Sequence, residues 1–367
     1  MDIPLVDLKA QYLSMKDEID GAIARVIGKT AFILGDEVKQ FEAGFASFSG
    51  AKQCIGVSSG TSALALSLRA LGVGLGDEVI TTTMTFTASA EAVYHAGAKP
   101  VFVDIDRHTY NMDPALVEAA ITPRTKAIMP VHLYGNPCDM EPLMSVARKH
   151  GLRVVEDSAQ AHGASYRGTP VGLMGDMGCF SFYPGKNLGA YGDAGAVITN
   201  DAQLASKVRL LRDHGRTTKY EHVEVGYGER IDALQAAILA AKLVHLREWT
   251  EARRTWAGVY SGALEGLPID IVRPTPGAYA VYHLYAIGVS RRDELLAFLN
   301  SRGIRAGIHY PIPLHLQPCY GHLGYKMGDL PVAEAAAASE ISLPMYPELG
   351  AEKARYTAEA IRDFVSR

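Results

Sequence analysis

Short apolar runs alternate with helix-like segments through the first half of the chain, and this alternation restricts the possible folds more than any other feature. The runs, rich in β-branched residues, cover positions 53–58, 77–83, 100–104, 126–133, 152–157 and 196–199. Strands separated by helices in this way form a mostly parallel sheet with helices on both faces. The sequence therefore predicts an α/β fold built around such a sheet.

The pattern changes after residue 245, where a stretch with Pro and Gly follows a long helical segment. The elements predicted outside the sheet are helices over 13–26, 233–256 and 292–301 and a strand over 282–289. We therefore expect a large domain of residues 1–245 and a smaller α+β domain of residues 246–367.

The composition excludes several classes of protein. The formal net charge of −4 disfavours a general binder of nucleic acid or of anionic membranes. No run of about 18 apolar residues is present, and residues 1–7 lack the basic and apolar regions of a secretory signal. Four cysteines without a CxxC pair are typical of reduced thiols in a cytoplasmic protein.

Two groups of residues have the composition of binding motifs but the wrong context. The glycine-rich residues 72–76 follow a helix and open a strand, whereas a dinucleotide-binding loop does the reverse, so we expect a turn. His309, His315, Cys319 and His322 lie close in sequence, but their spacing fits no standard zinc pattern and prolines interrupt them. We expect no metal there and a substrate-facing loop instead.

Residues 58–64 lie between a predicted strand and a predicted helix and contain Gly60 and Thr61. Amide groups at a helix N-terminus bind phosphate, glycine permits its close approach, and the Thr61 hydroxyl adds a donor. An ordinary Ser or Thr N-cap has the same pattern, so this segment alone does not decide between the two.

Two further segments carry chemically suggestive side chains. Asp157 ends an apolar strand, where ligands of open α/β sheets bind, and its carboxylate can keep a pyridine nitrogen protonated; capping of the next element is the alternative. Lys186 lies among apolar, aromatic, Gly and Pro residues that desolvate an amine, as Schiff-base formation requires. A surface Lys is the alternative, and Ser181 nearby adds a phosphate donor. Together, and in this order at strand edges, the three segments indicate pyridoxal phosphate (PLP).

With these segments in place, the sequence resembles the fold-type I, PLP-dependent sugar-nucleotide aminotransferases of the DegT/StrS type over essentially its whole length. The motifs that carry the resemblance are residues 4–9, 32–35, 85–88, 130–135, 156–160, 309–311 and 342–347. The resemblance implies an aspartate-aminotransferase-like fold, PLP as cofactor, and active sites shared across a symmetric homodimer.

The resemblance also implies roles for the matching positions. Lys186 matches the Lys that bonds to the cofactor and then moves a proton to the sugar carbon, and Asp157 matches the partner of the pyridinium nitrogen. Phe86 matches an aromatic residue that stacks on the cofactor ring, with a core position as its alternative, and Gln160 matches the contact to the ring hydroxyl. The matching phosphate contacts are Gly60, Thr61 and Ser181.

One position departs from the family. Where relatives often read Gly-Tyr-Asn-x-Arg, this chain has Gly228 followed by Glu229 and Arg230. The usual Asn reaches the phosphate of the neighbouring subunit's cofactor, which Gly228 cannot do, so that contact is lost or another group replaces it. Arg230 is retained and can meet an anionic group.

Residues 180–195 are similar to the branch that aminates C3 of a dTDP-linked 3-keto-6-deoxyhexose, so we expect that acceptor, with L-glutamate as amino donor. A C4 aminotransferase acting on a UDP- or GDP-keto-sugar is the alternative. Lys186 argues against a related dehydratase, which would have His there, and against a non-catalytic regulatory homologue. The basic stretch that begins at Arg212 is the expected nucleotide contact, with a solvated helix end as its alternative. The expected contacts to the sugar nucleotide are Tyr183, Lys219, Tyr220, Arg230, His309 and Tyr310.

Overall fold

The computed structural model of the protein describes residues 1–366, which form thirteen α-helices and thirteen β-strands. The helices are α1 (Leu8–Ser14), α2 (Lys16–Lys29), α3 (Asp36–Ser49), α4 (Gly60–Ala70), α5 (Ala88–His95), α6 (Pro114–Val117), α7 (Met140–His150), α8 (Ala202–Arg212), α9 (Ala233–Leu243), α10 (Leu246–Leu264), α11 (Arg292–Ser301), α12 (Pro331–Ser339) and α13 (Gly350–Val365). The strands are β1 (Gln53–Val57), β2 (Glu78–Thr82), β3 (Lys99–Val103), β4 (Thr125–Met129), β5 (Arg153–Asp157), β6 (Ser165–Tyr166), β7 (Thr169–Pro170), β8 (Met177–Ser181), β9 (Gly195–Thr199), β10 (Asp270–Ile271), β11 (Ala278–Tyr279), β12 (Tyr285–Gly288) and β13 (Glu340–Leu343).

Seven strands form the central sheet in the order β1-β9-β8-β5-β4-β2-β3. The pairs from β8 to β3 are parallel, and β9 is antiparallel to both β8 and β1. Six of these seven strands therefore run in one direction, which confirms the predicted mostly parallel sheet. The carboxyl ends of β1, β5 and β8 consequently meet at one edge, where Asp157 pairs in register with Cys179.

Helices cover both faces of this sheet, because alternate residues of a strand point to opposite faces. In β9, Val197 packs in the same cluster as Leu64 of α4, whereas Ile198 packs in the cluster of Phe45 from α3. Buried apolar residues on both faces explain why the strands read as continuous apolar runs in the sequence.

Two predicted helices are wrong in extent because each is divided in the structure. The helix expected over 13–26 is α1 and α2, separated at Met15, which has non-helical φ/ψ of −135° and 29° and is buried. The helix expected over 233–256 is α9 and α10, between which the chain turns at Val244 and His245. The expected turn at residues 72–76 is confirmed, with Gly72 and Gly76 at positive φ.

The C-terminal part of the chain has a core of its own. Helices α10, α11 and α13 pack with a sheet of the order β10-β12-β13 around residues such as Tyr260, Leu299 and Ile361. Ile3, from the other end of the chain, belongs to the same core and forms a bridge with Ile304. The division into domains at residues 245 and 246 stays a prediction.

Every helix within residues 1–366 is too short or too polar to cross a lipid bilayer.

The contact between Gly172 and Gly178 allows a test of the packing beside β8. A Cβ on Gly178 would lie 2.2 Å from the Gly172 Cα. Gly178→Ala is therefore expected to lower the free energy of unfolding by about 1–3 kcal/mol, measured by urea denaturation. The matched control is Gly262→Ala in α10, where a Cβ meets nothing within 4 Å; an exposed helical Gly→Ala change is neutral or stabilising by up to about 1 kcal/mol. Equal denaturation midpoints for the two variants would contradict the predicted crowding.

Candidate active site

The start of α4 brings two of the predicted phosphate contacts together. Ser59 precedes α4, and its Oγ accepts a hydrogen bond of 3.0 Å from the Ser62 amide. Gly60 has no room for a side chain, because an added Cβ would lie 2.6 Å from the Ser181 Cβ. The first turn of α4, which also contains Thr61, therefore lies against the end of β8.

Asp157, the last residue of β5, has a buried carboxylate with two donors. Ser89 Oγ donates to Oδ2 at 2.8 Å, and the Ala159 amide donates to Oδ1 at 3.1 Å. Burial raises the pKa of Asp157, and these hydrogen bonds, together with the positive charge of Lys186, oppose the rise. No cationic side chain of residues 1–366 forms a salt bridge with this carboxylate, which leaves it available to a protonated ring nitrogen.

Lys186 lies on a tight loop after β8, where its amide donates to the Tyr183 carbonyl at 2.9 Å. Its side chain is half-buried, and within residues 1–366 Nζ has no hydrogen-bond or ion-pair partner. Burial lowers the pKa of Lys186 to about 8, against the opposing effect of the Asp157 carboxylate. Such an amine is partly neutral near pH 8, and a neutral amine is a nucleophile.

Helix α9 supports the loop that carries Lys186. Lys242 Nζ donates to the Gly189 carbonyl at 2.8 Å, and the Gln235 side chain accepts from the Tyr191 amide at 2.8 Å. Burial lowers the pKa of Lys242 to about 8. The main chain that follows Lys186 is thus fixed by two side chains of one helix.

Sequence reasoning missed four residues that position the site, namely Ser89, Asn187, Gln235 and Lys242. Asn187 Nδ2 donates to the Val281 carbonyl at 3.0 Å, which fixes the residue next to the reactive amine. The sequence did contain a sign of Lys242, because it is the one charged residue in the otherwise uncharged helix α9. Ser89 and Asn187 lie in segments where polar residues are ordinary, and only their distant partners show what they do.

Phe86, Gln160 and Tyr310 form one wall of the site. The ring centroids of Phe86 and Tyr310 are 6.0 Å apart, and Gln160 Nε2 donates to Tyr310 Oη at 3.4 Å. Burial and the nearby Asp157 carboxylate raise the pKa of Tyr310. Phe86 is 54% exposed, so its ring is not a core residue and is free to stack on a ligand.

His309 also belongs to this group. Its Nδ1 lies 3.0 Å from Ser342 Oγ, and burial and the positive charge of Lys186 lower the pKa of His309 to about 4. Tyr183, three residues before Lys186, is 59% exposed. A neutral imidazole and an exposed phenol therefore accompany the amine.

Lys219, Tyr220 and Arg230 do not join the group around Lys186. The Tyr220 side chain is exposed, with the Lys219 Nζ 5.3 Å from its ring centroid, and Arg230 pairs with Asp213 at 2.6 Å. Arg212, at the start of the same stretch, is buried in an ion pair. The predicted contacts of Lys219 and Tyr220 to a sugar nucleotide stay predictions.

The ring of His214 lies over Gly228. A Cβ on Gly228 would be 3.1 Å from the His214 Cε1. The next residue, Glu229, accepts hydrogen bonds from the hydroxyls of Ser58 and Ser62 at the start of α4, the second at 2.6 Å. His214 is therefore the side chain beside the position where relatives often have Asn.

Of the four residues in the C-terminal His and Cys group, only His309 lies beside Lys186. His315 is buried, with Nδ1 2.7 Å from Thr83 Oγ1, so the expected substrate-facing position is wrong for this residue. His322 bonds to Tyr94. Its ring and that of His315 thus have separate partners.

The arrangement fits PLP. The amides of the first turn of α4, with Gly60 pressed against Ser181, form a cradle for a phosphate. The Asp157 carboxylate is suited to a pyridinium nitrogen, and the Lys186 amine is free to bond to an aldehyde. Fold and site together define a PLP-dependent aminotransferase of the aspartate-aminotransferase type.

Residues 13–362 match the model of the DegT/DnrJ/EryC1/StrS aminotransferase family. The chain belongs to this family, whose members include sugar-nucleotide aminotransferases, and the predicted family, enzyme class and cofactor are thereby confirmed.

Curated relatives match over almost the whole chain. A "pleiotropic regulatory protein" of Geobacillus stearothermophilus is 52% identical over 99% of both chains. A UDP-N-acetyl-3-dehydro-α-D-glucosamine 3-aminotransferase of Acidithiobacillus ferrooxidans is 48% identical over 98% of this chain and 97% of the relative. A dTDP-3-amino-3,4,6-trideoxy-α-D-glucose transaminase of Streptomyces venezuelae is 46% identical over 100% of this chain and 97% of the relative. The last two names differ in the nucleotide, UDP in one and dTDP in the other, and so do not fix the nucleotide of this chain's substrate.

Solved structures agree with the fold. Streptomyces venezuelae DesV in complex with a ketimine intermediate has a TM-score of 0.98 at 46% identity, covering 100% of this chain and 99% of the other. NtdA of Bacillus subtilis with bound cofactor PMP has a TM-score of 0.89 at 31% identity, covering 96% of this chain and 82% of the other. The predicted aspartate-aminotransferase-like fold is confirmed.

The effect of the Asp157 charge on the pKa of Lys186 can be measured. In cofactor-free protein, labelling of Lys186 by trinitrobenzenesulfonate, followed by peptide mass spectrometry, is expected to rise with pH about a midpoint near 8. Since the Asp157 charge raises the pKa of Lys186, Asp157→Asn shifts that midpoint to lower pH. The control Asp213→Asn, which removes a carboxylate paired with Arg230, leaves it in place. The coupling is wrong if Asp157→Asn and wild type share one midpoint.

Proposed function

We propose that the protein is a cytoplasmic homodimer that transfers an amino group from L-glutamate to C3 of a dTDP-linked 3-keto-6-deoxyhexose, forming dTDP-3-amino-3,6-dideoxyhexose. The observation that carries the chemistry is the Lys186 amine, which has no hydrogen-bond or ion-pair partner within residues 1–366 and whose pKa burial lowers to about 8, against the opposing effect of the nearby Asp157 carboxylate. Because no ion pair stabilises the charged form of Lys186, the amine loses its proton more easily, and the neutral form is the reactive one.

In this proposal each side chain holds one part of the cofactor. Asp157, whose orientation is set by Ser89, would hold the pyridinium nitrogen. Phe86 would stack on the ring, and Gln160 would contact the ring hydroxyl. The phosphate contacts are Gly60, Thr61 and Ser181. PLP, when bound, supplies an electron sink for a developing carbanion.

Lys186 handles the protons of both half-reactions. With the cofactor bound, its Nζ would take the proton from the α-carbon of glutamate. In the second half-reaction Nζ delivers a proton to the sugar carbon that receives the amine. The lowered pKa of Lys186 suits both steps, because an amine with a pKa near the working pH exchanges protons most effectively.

Several observations support the substrate and the assembly. Residues 180–195 are similar to the C3-aminating branch, and the Streptomyces venezuelae relative carries a dTDP-3-amino-sugar name. A UDP-linked 3-keto sugar is a second candidate, which the name of the Acidithiobacillus relative favours. Val225 and Tyr220 are more than four-fifths exposed on the loop that also contains Lys219. A partner subunit that covers this loop would bring Lys219, Tyr220 and Arg230 to its own site, and Tyr183, His309 and Tyr310 meet the sugar from within the chain.

Replacement of Lys186 tests the chemistry. Lys186→Ala is expected to lower amino transfer by about 10²–10⁴-fold or more, because proton transfer by a positioned group is lost. After borohydride reduction, the phosphopyridoxyl group found on the Lys186 peptide of the wild type should be absent. Lys39→Ala, which changes a lysine that is 78% exposed, keeps both properties. A cofactor bond that survives in Lys186→Ala would refute the assignment.

Keto-sugar assays test the substrate. The protein is incubated with PLP, L-glutamate and each of a dTDP-3-keto-, a dTDP-4-keto-, a UDP-3-keto- and a UDP-4-keto-sugar, and NMR identifies the aminated carbon. We expect amination at C3 of the dTDP sugar with release of 2-oxoglutarate. Amination only at C4 would contradict the regiochemistry, and preference for the UDP-3-keto sugar would contradict the nucleotide. An absence of amination with every sugar would favour the regulatory alternative.

A further inference from the structure

Three polar side chains, those of the proposed sugar contact His309 and of Ser342 and Glu340 behind it, form a series of hydrogen bonds. Ser342 Oγ donates to Glu340 Oε1 at 2.5 Å and lies 3.0 Å from His309 Nδ1. The other carboxylate oxygen, Glu340 Oε2, accepts from the His309 amide at 2.6 Å. Glu340 and Ser342 lie in β13 and are fully buried, so bulk water does not compete for these bonds.

The position of each proton follows from the carboxylate. An ionised carboxylate only accepts hydrogen bonds, and a serine hydroxyl has a single proton. Ser342 gives that proton to Glu340 and therefore accepts at Oγ from the Nδ1–H of His309. A neutral imidazole with its proton on Nδ1 has a lone pair on Nε2.

The ring of His309 is held so that Nδ1 faces Ser342. A Cβ on Gly307 would lie 3.0 Å from the His309 Cε1, so the ring packs against this glycine. Tyr134 Oη donates to the His309 carbonyl and fixes the main chain. Nε2 has no hydrogen-bond partner within residues 1–366, and the Lys186 charge acts on the ring, which places it beside the site.

We propose that Glu340 and Ser342 are positioning residues that keep His309 Nε2 a hydrogen-bond acceptor for a hydroxyl group of the keto-sugar. This inference rests on the proposed function, in which His309 contacts the sugar, and adds which partner the imidazole selects. A site built to accept from a hydroxyl discriminates against a sugar that lacks it, because a polar group is then left unpaired.

Acid reverses the donor-to-acceptor direction of the hydrogen bonds that link Glu340, Ser342 and His309. Burial raises the pKa of Glu340 to about 7, against the effect of the bonds from Ser342 and the His309 amide and of the Arg292 charge. Below that pH the carboxyl group gains a proton and donates to Ser342, which then donates to Nδ1. The imidazole proton moves to Nε2 by exchange with solvent, so one proton is taken up and Nε2 becomes a donor. The other titratable groups that face Glu340 are Tyr110, Tyr134 and Tyr310, and burial raises the pKa of each.

The tautomer is measured directly in the holoenzyme. Nitrogen-15 NMR of histidine-labelled protein at pH 8 is expected to show Nδ1 protonated and Nε2 unprotonated for the signal that is missing in His309→Gln. A proton on Nε2 at pH 8 overturns the inference. This measurement on the wild type does not depend on the folding of any Glu340 variant.

The substitution Glu340→Gln is expected to reverse the direction of these hydrogen bonds without changing the size of the side chain. The glutamine oxygen must face the His309 amide, so its NH₂ group donates to Ser342 and His309 Nε2 takes the proton. We expect kcat/KM for the keto-sugar to fall about 10–100-fold, with the glutamate half-reaction unchanged. In the wild type kcat/KM for the keto-sugar should fall below pH 7. In Glu340→Gln, which has no carboxyl group to titrate at this position, that fall should be absent.

Glu334→Gln is the matched control, since Glu334 also bonds to a buried imidazole, that of His315, away from Lys186. It should leave the keto-sugar kinetics and the tautomer of His309 unchanged. Equal losses in both half-reactions of Glu340→Gln would indicate a merely structural role and overturn the inference. Absence of keto-sugar amination in the wild type would instead refute the proposed function, and the NMR result would then show separately whether the tautomer was correct.

Discussion

The rest of the site depends on an amine that is partly buried but has no ion-pair partner within residues 1–366. Removing a cation from water is unfavourable, and the pKa of Lys186 falls to about 8 for that reason. A salt bridge with Asp157 would cancel this effect and block both groups. Ser89 holds the carboxylate, and Lys242 and Gln235 hold the loop of the amine, so each group stays in place without the other. The fold therefore keeps two opposite charges close but unpaired.

The sheet makes this separation possible. Asp157 ends β5 and Ser181 ends the adjacent parallel strand β8, so the register of the two strands sets the distance from the carboxylate to the phosphate cradle. Gly60 then lets α4 approach Ser181 more closely than any other residue would allow. Strand ends are stiff, whereas a loop would let the carboxylate turn toward the amine. The positions of the reactive groups thus follow from main-chain pairing.

The sequence predicted those parts of the molecule whose determinants are local. Buried parallel strands read as apolar runs, and Lys186 and Asp157 stand out against such runs. The divisions at Met15 and at Val244 were not predicted because the apolar periodicity continues through both. Two-residue strands such as β6 and β10 have no periodicity to detect. The roles of Ser89 and Glu340 rest on contacts with residues 68 and 31 positions away, and a single sequence contains no sign of such contacts.

The proposed function assigns recognition of the sugar and of the nucleotide to separate parts of the chain. His309 is held by β13, and its surroundings are buried, so any change there disturbs a packed strand. The loop with Lys219 and Tyr220 is exposed, and its substitution disturbs little. Relatives at 48% and 46% identity carry names with UDP and dTDP, although both names place the amine at C3. If the sugar is bound next to a buried strand and the nucleotide by an exposed loop, as proposed, the loop can change while the geometry at the reacting carbon is kept, which would explain this pattern.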